Sequence, residues 1–197
     1  MKTTILTLIA AATLTLSTSA FASATGDGTT TIPNITPIDK IEAHGNVEVF
    51  VTTGTKDGVK VYADYYAQGG LVQEDKGVLR VTNYDKNQKL LVEVTVTQLQ
   101  NIAAYDNAVI KSDKLNLVDL KVDLYNQSYA GLNLNNYAAS INVNDQAKAD
   151  LTGNVDEYSL TYSYGATVNR TELAAVNMEE IRVAPAMNLK GRFRNRA

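Results

Sequence analysis

Ile102-Ala103-Ala104-Tyr105, Val122-Asp123-Leu124-Tyr125, Ile141-Asn142-Val143-Asn144, Leu160-Thr161-Tyr162-Ser163 and Ile181-Arg182-Val183-Ala184 begin 20, 19, 19 and 21 positions apart. The segments alternate apolar and polar residues, the period-two signature of a half-buried strand. The register continues behind them. Asp106, Asn126 and Asp145 recur at one corner, with Tyr164 and Pro185 at the equivalent places later. Two positions on come Ala108, Ser128, Ala147 and Ala166, then Met187. A second inward series reads Ile110, Ala130, Ala149, Val168 and Leu189, and a third, Leu115, Leu134 and Leu173, is spaced 19 and then 39.

One object accommodates all of these series. If each repeat of about 20 residues makes one turn of a coil, equivalent positions stack at the parallel-strand spacing of about 4.8 Å. Inward side chains then form aliphatic columns, and Asx residues at the corner hydrogen-bond nearby backbone. The expectation is an all-β chain, a β-solenoid of about eight coils over residues 38–197. No window sustains the i, i+3, i+4, i+7 stripe of an amphipathic helix.

The N-terminal half is less regular. Ile41, Val61, Val81 and Ile102 lie 20, 20 and 21 apart, each in a strand-like run. Turn signals separate the runs at Gly54, Lys56-Asp57-Gly58, Gly69-Gly70 and Lys76-Gly77. Two readings stay open there, larger coils of the same solenoid or a β-sheet cap on it.

Residues 1–22 have the form of a secretory signal: Lys2, an apolar run from Ile5 to Leu16, and the small-x-small sequence Ala20-Phe21-Ala22. The run is shorter than the roughly 18–20 residues that span a bilayer, so no transmembrane segment is expected after cleavage. Residues 23–37 are rich in Gly, Ser and Thr and are expected to be a flexible linker. An exported protein follows, in the periplasm, at the outer membrane or cell surface, or outside the cell.

Composition excludes several chemistries. The chain has 197 residues, 0 Cys, 0 Trp and 1 His, against 11 Tyr, and its formal net charge is −3. Without cysteine there is no disulfide framework and no thiolate chemistry. A lone histidine, His44, gives no multi-histidine metal site and reads as a turn residue beside Gly45. A mildly acidic chain lacks the clustered cations that displace counterions from nucleic acid.

The repeats and the opening strand Ile38-Asp39-Lys40-Ile41-Glu42-Ala43-His44-Gly45-Asn46-Val47-Glu48-Val49 carry a family likeness. With the small-residue corners Asn107-Ala108, Gln127-Ser128, Gln146-Ala147 and Gly165-Ala166-Thr167, the chain resembles the bacterial "putative auto-transporter adhesin" family with a head GIN domain. The likeness extends over about residues 36–191. It implies a right-handed, single-stranded parallel β-helix in the cell envelope, and no established activity.

The outward positions of the main strand, Lys121 and Asp123, Ser140 and Asn142, Ser159 and Thr161, read as a solvated polar wall. Carboxylates do not recur there as a polysaccharide-active enzyme would need, so no catalytic residue, metal or cofactor is expected. The candidate binding residues are Tyr105 with Tyr125, 20 apart, and Tyr137 with Tyr158, 21 apart, each pair expected to stack. An exposed aromatic ladder would hold sugar rings or the apolar surface of a partner; the plainer reading is that tyrosine suits strands. The basic tail, Lys190 to Arg196, reads as a solvated end or as a contact for anionic surfaces. The expected partners are therefore a glycan or an envelope protein. A structural component that forms homo-oligomers is the alternative.

Overall fold

The structure is a computed structural model, and it describes residues 24–25, 28–33, 35–62 and 70–184. The expected leader and the tail from Lys190 onward lie outside the described residues. The strands in chain order are β1 (Ala24–Thr25), β2 (Thr29–Ile32), β3 (Lys40–Gly45), β4 (Val47–Thr53), β5 (Gly58–Tyr62), β6 (Leu71–Asp75) and β7 (Val78–Asn83). They continue with β8 (Leu90–Val96), β9 (Asn101–Tyr105), β10 (Val109–Leu124), β11 (Tyr129–Val143), β12 (Lys148–Ser163) and β13 (Thr167–Val183).

All of them join one curled, open sheet of 13 strands in the order β1-β2-β5-β8-β4-β10-β9-β3-β7-β6, with β11, β12 and β13 following one another from β10. This corrects the expected right-handed, single-stranded parallel β-helix of about eight coils. The sheet is mixed: β1–β2, β2–β5, β5–β8 and β6–β7 pair antiparallel. For β6 and β7 the reason lies in turn chemistry. Lys76 and Gly77 both take left-handed φ, 51° and 81°, and close β6 and β7 into a hairpin of the I′ kind. Val61, on β5, lies opposite Val92 on an antiparallel strand, and Val81, on β7, lies opposite Ala43, so the two do not stack on each other. Within the stretch expected to be linker, Thr29–Ile32 is paired with β5.

The spacing near 20 survives as local register in the C-terminal half. Val122 pairs with Ile102 and with Ile141, and Ile141 with Leu160, all in parallel. Leu160 then pairs with Glu180 and not with Ile181. Between Asp150 and Thr152 the register of β13 shifts, because Asn169 and Glu172 on β13 are three residues apart where their partners are two. One inserted residue sends every later side chain to the opposite face. Ile181 and Val183 are consequently exposed, at 48% and 49%.

One continuous apolar core runs from Ile38 to Leu160. Its columns include Ile110–Ala130–Ala149–Val168 and Leu115–Leu134–Gly153–Leu173. The gap of 39 residues between Leu134 and Leu173 is filled by Gly153. There φ is +102°, and a Cβ would lie 2.0 Å from the Leu134 carbonyl oxygen. At the corner, Asp106, Asn126 and Asp145 take φ of 59°, 58° and 55°, which Asx residues tolerate best after glycine. The Asn126 side chain accepts from the Asp106 amide (3.1 Å) and the Asp145 carboxylate from the Asn126 amide (2.8 Å), so each corner is tied to the one before it.

Candidate functional site

Strands β3 and β9 to β13 lay three rows of outward side chains side by side. The first runs Lys40, Asn101, Lys121, Ser140, Ser159, Glu179; the second runs Glu42, Ala103, Asp123, Asn142, Thr161, Ile181. The third begins with His44 and Tyr105 and continues to Tyr125, whose amide donates to the Ala104 carbonyl and so keeps the register.

The third row is an aromatic stack. The His44 and Tyr105 rings have centroids 4.4 Å apart and planes within 4°. Tyr105 and Tyr125 follow at 4.9 Å, again within 4°. These distances are the strand spacing itself, so the sheet sets the stack and the rings need only point the same way. Because the rings spend their faces on each other, the stack presents ring edges and phenol hydroxyls outward. All three rings are half-buried. Burial, with the neighbouring Tyr125 second, holds the Tyr105 hydroxyl above the usual phenol range.

The second row is charge-paired. Glu42 binds Lys40 (2.6 Å) and Arg80 (2.9 Å). Asp123 takes Lys121 (3.0 Å) and the Asn142 amide (2.8 Å). The hydrogen bond from Lys40, and then the two cations, hold the Glu42 carboxyl below the ordinary carboxylate range against its own burial.

Along the first row the surface is concave. A groove of about 920 Å³ crosses the segment 97–101 and strands β10 to β13, a run of roughly 19 Å at 4.8 Å per strand. Leu99, Leu120 and Tyr158, all buried, back it. Its rims carry Gln98, Gln100, Asn101, Ser140 and Ser159. The segment before it is anchored by Asp57, whose carboxylate accepts from the Thr97 amide (2.7 Å) and the Ile38 amide (2.5 Å).

Of the four candidate tyrosines, the structure brings Tyr105 and Tyr125 together and separates the other two. Tyr158 pairs with Ala139, not with Tyr137, and is 3% exposed, whereas Tyr137 is 57% exposed. The Tyr158 hydroxyl finds no hydrogen-bond partner among the described residues. Sequence reasoning missed His44 as the third ring. The signal was present in the spacing of Ile41 and Ile102, which three residues on becomes that of His44 and Tyr105. The groove was missed because its rim residues are individually unremarkable polar positions that only the bend of the sheet makes concave.

Among the described residues no group of three or more His, Asp or Glu side chains is placed to hold a metal ion. No helix among them is long and apolar enough to cross a membrane. Two crystal structures from Parabacteroides distasonis are similar to this chain in fold, each at 12% identity and a TM-score of 0.57. One is of a "putative lipid binding protein", covering 78% of this chain and 77% of that one. The other is of a "putative adhesin", covering 79% and 78%. No curated protein matches the chain. Residues 37–184 match the family described as "Putative auto-transporter adhesin, head GIN domain", and with most of its length so matched the chain belongs to that family.

Proposed function

We propose that this protein is an exported, non-catalytic component of the cell envelope that binds a partner there, glycan or protein, through the outer wall of β9 to β13. The observation that carries the reading is the His44–Tyr105–Tyr125 stack. Three aromatic rings held in register beside a charge-paired row form a rigid strip, ready to bind without ordering side chains first. Its exposed edges combine apolar ring carbon with phenol hydroxyls, the pairing that makes tyrosine frequent at interfaces. The secretory form of residues 1–22 and the adhesin-like family support export and binding.

The test is a glycan array and an envelope-extract pull-down run with the wild-type protein and with Tyr105→Ala/Tyr125→Ala. A reproducible ligand lost in the double variant supports the reading. Recovery of nothing, or of ligands indifferent to both tyrosines, removes its basis. Cell fractionation checks the export half: the protein should leave the cytoplasm with residues 1–22 removed.

A second reading, a self-associating structural component, is favoured by β13. Its 17 residues pair only with β12 among the described residues, and Val176, Ile181 and Val183 are exposed along it. A protein that stays monomeric in light scattering at high concentration would end that reading.

A further inference from the structure

We infer that the groove crossing β10 to β13 is a binding site for a linear, uncharged oligosaccharide, separate from the aromatic stack. The inference rests on the binding reading only in that both concern the same wall; the groove does not need the tyrosines.

The volume, about 920 Å³, falls within the range of ligand clefts. The groove is also built from a repeat. Along one rim Asn101, Lys121, Ser140 and Ser159 follow one another at a single strand spacing. Recognition groups that recur at a fixed interval suit a ligand that recurs as well, which means a polymer lying across the strands.

The groups available choose among polymers. The side chains of Gln98, Gln100, Asn101, Ser140 and Ser159 make no hydrogen bond with the described residues, so amide and hydroxyl donors and acceptors line the rims. Val118 and Met178, which line the groove and are exposed, give a carbon surface for the C–H face of a sugar ring. Charge disfavours a polyanion. Asp119, Glu157 and Glu179 face the groove against Lys121 alone, and Lys121 is already paired with Asp123. An extended peptide is disfavoured too, because peptide grooves of the strand-addition kind offer a free backbone edge. Here β11 and β12 are laddered on both sides, and the stretch of β10 laddered on one side alone among the described residues, residues 113–120, runs along its strand and not across the strands as the groove does. Side-chain amides and hydroxyls beside exposed Val118 and Met178 match the hydroxyls and C–H faces of a neutral sugar.

The experiment titrates the purified protein by calorimetry and NMR with three neutral linear hexasaccharides: cellohexaose, β-1,4-mannohexaose and chitohexaose. Hexagalacturonate serves as the anionic control. At least one neutral hexasaccharide should bind about tenfold or more tightly than its own disaccharide, since a short chain fills only part of the groove. Hexagalacturonate should bind about tenfold more weakly, or not at all. Ser140→Arg, which places a long side chain across the middle of the groove, should lower affinity about tenfold. Should that variant fold poorly by circular dichroism, Gln100→Ala/Asn101→Ala at the exposed rim should weaken binding without the steric risk. Lys86→Ala, which lies in neither the groove nor the stack, should leave hexasaccharide affinity unchanged. Absence of binding by all three neutral probes at millimolar concentration overturns the inference. So does affinity independent of chain length, or loss on changing the tyrosines but not the groove.

Discussion

Glu180 lies in register with Leu160, where the alternating pattern places Ile181. The inserted residue in β13 thus turns two charged side chains, Glu180 and Arg182, toward the rows that hold Leu160 and Tyr162 on the neighbouring strand. Arg170 pairs with Glu180, and the Arg182 guanidinium lies 4.3 Å from the Tyr164 ring centroid. An outermost strand is a template for pairing with another molecule, and charges turned inward on such a strand oppose this.

Glu180→Leu/Arg182→Leu should therefore convert the end of the sheet into a sticky one. Light scattering should show concentration-dependent dimers or larger species where the wild type shows fewer. Glu180→Ala alone should cost about 1 kcal/mol or less, because the pair it breaks is partly solvated. An unchanged mass for the double variant would show that β13 is protected in some other way.

Gly153 makes a sharper test of the core. With φ at +102° and the Leu134 carbonyl in the way of any Cβ, Gly153→Ala requires the β11–β12 ladder to shift. The expected loss is about 2 kcal/mol or more in urea unfolding. Gly58→Ala, where an added Cβ meets nothing within 4 Å, should stay within about 1 kcal/mol of wild type. Equal effects at the two positions would contradict the geometry.

These two positions also show what could be read from the chain beforehand. The alternation of Val122, Leu124, Ile141, Val143 and Leu160 fixes which side chains are buried, and all five are. What alternation does not fix is strand direction, because an antiparallel partner buries the same residues as a parallel one. Val61 and Val81 are buried as their period requires, yet Val61 faces an antiparallel Val92. The Lys76-Gly77 turn sets direction for β6 against β7, whereas Val61 lies on β5, whose antiparallel partners are β2 and β8. The slip of β13 was hidden for a related reason, since Ile181 and Val183 fit the apolar period while facing out. Likewise, spacing placed Tyr105 on Tyr125 but could not place Tyr137 on Tyr158, where the register differs from the count by two.

Acid should weaken the sheet through Glu42 and Glu48. Hydrogen bonds from Lys40 and Lys111 respectively, with further cations behind them, hold both carboxyls below their ordinary value of 4.5. A depressed folded pKa contributes stability that is present above the unfolded value and lost as pH falls through the folded one. Melting temperature should thus hold above pH 4.5 and decline progressively below it. Glu42→Gln/Glu48→Gln should melt lower at neutral pH and lose less on acidification. A variant that keeps the full acid dependence would assign it to other carboxylates.

Two tyrosines should behave oppositely although both hold their protons to about 12. At Tyr129 the first cause is the hydrogen bond its hydroxyl donates to Asp150, at 2.7 Å; at Tyr158 it is burial. Raised folded values mean that the contribution of both is fully present below pH 10, the unfolded value, and is lost as pH climbs from there toward 12. Phenolate absorbance should show two late-titrating residues, and Asp150→Asn should move one of them down. The phenylalanine variants separate the causes. Tyr129→Phe leaves the Asp150 carboxylate without its donor and should cost about 1 kcal/mol. Tyr158→Phe removes a buried hydroxyl that has no partner among the described residues, so it should be neutral or stabilising. A large loss at Tyr158→Phe would mean that the hydroxyl is satisfied in solution by a group the fold does not itself supply.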